Sequence, residues 1–115
     1  MTVPGKWTLF YDWDCDGTYN TATMTVNSDG TFTASIAVGL PEDFTGLWTQ
    51  DAGMFMFTFD DIETTYAGNL ASKSITGTST TFTGLTGCFY MLQEGVPTAF
   101  VAERVAGQRD IAGNE

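Results

Sequence analysis

The chain has 115 residues, 43% of them hydrophobic, with four Lys and Arg against 14 Asp and Glu and a formal net charge of −10. That length suits one domain with its own core, and the charge repels phosphate backbones and anionic lipid, so no nucleic acid and no membrane surface is expected as a partner. Histidine is absent, which excludes His-dependent triads, His general bases and haem on a proximal His, and two cysteines are too few for a structural thiolate zinc site.

Period-two alternation between turn signals predicts strands at Lys6 to Trp13, Thr21 to Asn27, Thr31 to Val38, Thr45 to Gln50, Met54 to Phe59, Thr64 to Asn69, Lys73 to Thr78, Gly87 to Gln93 and Pro97 to Arg104. No stretch repeats at the helical period. Asn27-Ser28-Asp29-Gly30, Asp51-Ala52-Gly53 and Gln93-Glu94-Gly95 read as hairpin links, each with a Gly suited to positive φ. Short links between successive strands make a meander the simplest topology. The expected fold is all-β: a single antiparallel up-and-down barrel of eight or nine strands over residues 1–105, with a tail at 106–115 expected to fray. No run approaches the roughly 20 apolar residues of a membrane helix, and the opening residues lead straight into a strand. The reading is a soluble protein, cytoplasmic or exported with its signal removed.

Alternation also sorts the faces. With Trp7 inward, Leu9, Tyr11 and Trp13 follow it, while Lys6, Thr8, Phe10 and Asp12 point out. Ala22, Met24, Val26, Phe32, Ala34, Ile36 and Val38 read as inner residues, as do Phe55, Phe57 and Phe59. Met54 and Met56 then lie outside, where a pair of them would suit a subunit contact. The Thr/Ser/Gly-rich stretch from Ser72 to Gly87 reads as an exposed strand and loop, since β-branched Thr fits a pleated surface.

Four groups of residues carry chemistry. Asp12-Trp13-Asp14-Cys15-Asp16-Gly17 is a D-x-D-x-D-G run, in which Asp12, Asp14 and Asp16 present carboxylates at alternate positions before a turn glycine, as calcium loops do. Its twelfth position is Thr23 and not a bidentate Glu, so calcium is an expectation with a missing ligand, set against a solvated acidic turn. Cys15 and Cys88 can meet where a closed meander lays its first strand beside a late one. A disulfide there would close a loop of about 74 residues and would favour an exported protein. Asp60, Asp61 and Glu63 cluster at a turn and read as solvated rim charges. Tyr11, Tyr66 and Tyr90 are placed to offer hydroxyls to the interior.

Gly5-Lys6-Trp7 on the first strand and Arg104 at the end of the last resemble the calycin superfamily, the lipocalin and avidin-like barrels. In that superfamily a first-strand G-x-W lays an indole across the closed end and a late Arg or Lys packs over it; Trp7 and Arg104 match those structural positions. The strings Gly46-Leu47-Trp48, Thr65-Tyr66-Ala67-Gly68-Asn69 and Gly84-Leu85-Thr86-Gly87-Cys88-Phe89-Tyr90 are similar to segments of small microbial lipocalin-like domains. The lipocalin helix before the last strand is missing, which brings the layout nearer to avidin-type barrels, and no full set of polar residues matches avidin's biotin contacts.

The leading functional expectation is a barrel that holds a small apolar or aromatic ligand against Tyr11, Trp13, Trp48, Phe55, Phe57, Tyr66 and Phe89. The alternatives are a protein-interaction or inhibitor module acting through acidic rim loops, and a barrel-type cyclase or isomerase that works by positioning. No catalytic residue is nominated, and calcium is the one cofactor considered.

Overall fold

The computed structural model describes residues 3–36, 43–60, 64–71, 73–81 and 83–94. Eight strands follow in order: β1 (Gly5–Trp13), β2 (Asn20–Val26), β3 (Thr31–Ile36), β4 (Asp43–Asp51), β5 (Met54–Phe59), β6 (Thr65–Ala71), β7 (Ser74–Thr80) and β8 (Thr86–Gln93). Each pairs antiparallel with the next, and β8 returns to β1 to close an up-and-down barrel. The closing ladder sets Trp7 opposite Gln93 and Trp13 opposite Gly87. Eight strands complete the ring, so closure needs nothing from the ninth expected strand; that strand, Arg104 and the tail lie outside the described residues.

The alternation holds around the ring. Trp7, Leu9, Tyr11 and Trp13 of β1, Ala22, Met24 and Val26 of β2, Phe32 and Ala34 of β3, and Phe55, Phe57 and Phe59 of β5 all join one buried cluster. At the end where the chain enters, the Trp7 indole N–H donates to the Val3 carbonyl at 2.8 Å, and Val3 is itself buried. A buried indole whose one donor is satisfied carries little polar penalty.

The hairpins follow their chemistry with one correction. In the β2–β3 link Gly30 has φ 94°, and the Asp29 carboxylate accepts from the Thr31 N–H at 3.0 Å and its hydroxyl at 2.6 Å. In the β4–β5 link the left-handed residue is Ala52, at φ 55°, and not Gly53, since a glycine's permissiveness does not oblige it to take positive φ. The Gln93-Glu94-Gly95 link reaches residues outside those described. Gly46 earns its place by close approach: a Cβ there would meet the Thr58 carbonyl and stand 2.6 Å from the Phe32 ring.

Candidate functional site

The interior is filled by aromatic rings. Tyr11, Trp13, Phe55, Phe57, Tyr66 and Phe89, six of the seven residues expected to line a chamber, are each at most 3% exposed. Phe57 stacks on Tyr66 at 4.7 Å between ring centroids and meets Phe32 edge-on at 5.2 Å and Phe89 at 6.0 Å. Tyr66 in turn meets Phe89 at 5.0 Å and Trp13 at 6.1 Å. The seventh, Trp48, is half-buried against the same cluster and donates its indole N–H to the Asn27 carbonyl at 2.7 Å. Rings that keep at most 3% of their surface exposed leave almost none of it to a ligand, so a molecule seated against their faces has to displace a side chain.

The three tyrosines do not share one chamber. Tyr11 and Tyr66 are inside, but Tyr90 lies on the outer face, because it pairs with outward Phe10 and its neighbours Phe89 and Met91 take the inner positions. Phe10 stacks on Tyr90 at 4.5 Å with ring planes 11° apart, and Tyr19 meets Tyr90 at 5.2 Å and 69°. Phe10 is therefore outward and yet buried. Burial raises the Tyr90 phenol above its ordinary pKa of 10.0, with the Tyr19 hydroxyl adding to it. Tyr19, Tyr90, Leu92, Ser74 and Thr76 line an outer groove of about 420 Å³.

At the β1–β2 turn the expected disulfide is present: Cys15 and Cys88 are bonded, with Cα atoms 5.2 Å apart. Asp12 pairs with Cys88 across the β1–β8 ladder. The turn is wound through positive φ at Asp14 (78°), Cys15 (53°) and Gly17 (94°). Asp12 is 3% exposed; its Oδ2 accepts from the Gly17 N–H at 2.8 Å while Oδ1, also buried, has no hydrogen-bond partner. Desolvation raises its pKa, with the Gly17 N–H acting against that and the Asp16 carboxylate adding to it. Asp16 is exposed and held low by the Thr18 hydroxyl and N–H, at 2.5 and 3.0 Å. Among the described residues no three Asp, Glu or Cys side chains gather in a way that would hold a metal ion; winding the turn sends the Asp12 carboxylate to Gly17 and the Asp16 carboxylate to Thr18. Of the second acidic group, Asp60 is exposed and accepts from the Thr45 hydroxyl at 2.9 Å, while Asp61 and Glu63 lie outside the described residues.

On the far side of the ring, the outer face of β4 and β5 carries Leu47, Met54 and Met56, exposed by 62%, 45% and 38%. The two methionines stand where alternation puts them. Leu47 was legible by the same rule, as the outward neighbour of inward Trp48, whereas Tyr19 follows a turn and no periodicity signals its position. No protein-family description, no curated protein and no solved structure matches the chain.

Proposed function

We propose that this barrel is a protein-interaction module that works through its outer surface and recognises a basic partner carrying an apolar anchor. The observation that supports it most is the contrast between a filled interior and the bare Leu47, Met54 and Met56 on one face. Leu47 sits opposite Thr58, and Met56 opposite Thr49, which makes Leu47 and Met56 diagonal neighbours across the β4–β5 ladder, a spacing of about 7–8 Å. Met54 pairs with exposed Asp51. Flexible thioethers beside a branched aliphatic chain make an adaptable apolar contact, and a few such anchors carry most of an interface's energy. The net charge of −10 selects a partner of opposite sign and hastens its approach.

The test compares wild type with the triple variant Leu47→Ser, Met54→Ser, Met56→Ser as bait in an extract of the source organism, with thermal unfolding as a check on the fold. The expected result is a basic protein held by wild type at low salt, released at high salt, and not held by an equally stable variant. Equal capture by both baits, or a captured partner that is acidic, refutes the proposal. An apolar small molecule released from the wild-type bait on denaturation would favour the ligand-holding barrel instead.

A further inference from the structure

The outer groove on β7 and β8 shares no residue with the Leu47 face on β4 and β5, from which β6 separates it. Its aromatic corner is fixed from behind: Phe10 of β1 stacks on Tyr90 of β8 at 4.5 Å, and the Tyr19 ring stands at 69° to that of Tyr90 with centroids 5.2 Å apart. Two rings at a steep angle offer a cation more than one π-surface, and ring faces attract cations through their quadrupole. Ser74 and Thr76 supply hydroxyls, Leu92 an apolar wall, and the described lining contains no charged side chain. The volume, about 420 Å³, lies in the range of small-molecule sites.

Charge decides the class of ligand. Tyr19 leaves the turn that carries exposed Asp14 and Asp16, and the whole chain bears −10, so cations concentrate here and anions are repelled. A primary ammonium loses strong hydration on entering such a corner, and the described lining offers it no carboxylate in exchange. A quaternary ammonium has no N–H donors to satisfy and spreads its charge over methyl groups that pack on rings. A tyrosine phenol is neutral at ordinary pH, so the ring faces and the turn carboxylates supply the attraction.

We propose that this groove binds a small quaternary ammonium compound in the corner that the Tyr19 and Tyr90 rings form. The probe is choline, compared with its uncharged isostere in which carbon replaces nitrogen, and both are titrated while the tyrosine ring protons are followed by NMR. Saturable choline binding is expected, about tenfold tighter than the isostere, and weakened about tenfold by Tyr19→Leu, which keeps an apolar cover over Tyr90. Tyr90→Leu gives a second reading, accepted only where its strand signals match wild type. Absence of saturable choline shifts in the wild type overturns the proposal, as does equal affinity for the isostere or an unchanged affinity in a folded Tyr19→Leu variant.

Discussion

Phe57→Ala tests the filled interior from within. Phe57 is 1% exposed, and its ring lies within 6.0 Å, centroid to centroid, of Phe32, Phe55, Phe59, Tyr66 and Phe89. Truncating a fully buried Phe costs about 3–5 kcal/mol, part lost transfer energy and part void, and the 4.7 Å stack on Tyr66 places this site toward the upper end. With domains of this size losing roughly 4 °C per kcal/mol, the midpoint should fall by about 12–20 °C in calorimetry. The void is apolar and ring-sized, so saturating benzene should raise the midpoint of the variant by mass action and leave wild type where it was. A loss below about 1 kcal/mol, or a benzene-induced rise in wild type equal to that of the variant, would mean that an open chamber already exists beside Phe57, and the reasoning would be wrong.

Replacing both cysteines, Cys15→Ser with Cys88→Ser, removes a crosslink between residues 73 apart; the loop-entropy relation puts the loss at about 4 kcal/mol, read as a lower denaturant midpoint. The β1–β8 ladder should still close in that variant, and a cost under about 1 kcal/mol would show that the unfolded chain gains little freedom from the cut. Asp12→Asn has a pH signature. Because burial raises the folded-state pKa of Asp12 above its ordinary 3.8, the stability tied to its proton is present below that value and lost as pH rises through the folded pKa. The Asn variant, which keeps an acceptor for the Gly17 N–H, should therefore gain on wild type as pH rises from acid to neutral; a difference that stays flat with pH, or slopes the other way, contradicts the assigned cause.

Much of the ring was legible because the pattern is local. Phe55, Phe57 and Phe59 alternate with Met54, Met56 and Thr58, and nothing but a half-buried strand accounts for that order. Strand ends were less legible: β4 begins at Asp43 and β7 runs on to Thr80, where the sequence is polar and the pairing of Thr80 with Thr86, or Ser35 with Asp43, supplies the order. Alternation gave Phe10 and Asp12 their direction but not their burial. That depends on Tyr90 arriving across the barrel's closing ladder and on the turn folding Gly17 back to Asp12, two contacts between residues that carry no common signal. In the acidic run the alternate spacing of Asp12, Asp14 and Asp16 is visible in sequence, whereas the hydrogen bonds of Asp12 with the Gly17 N–H and of Asp16 with Thr18 are not. The disulfide was legible because closure of a meander brings first and last strands together whatever their separation.

The central claim is that recognition happens on the outside of a filled barrel. Native mass spectrometry of the protein isolated from its own source under gentle, non-reducing conditions tests it most directly. The account predicts a chain two hydrogens lighter than the reduced form, free of any apolar small molecule and recovered in part with a basic protein. A stoichiometric apolar molecule that stays with the isolated barrel until it unfolds would contradict it.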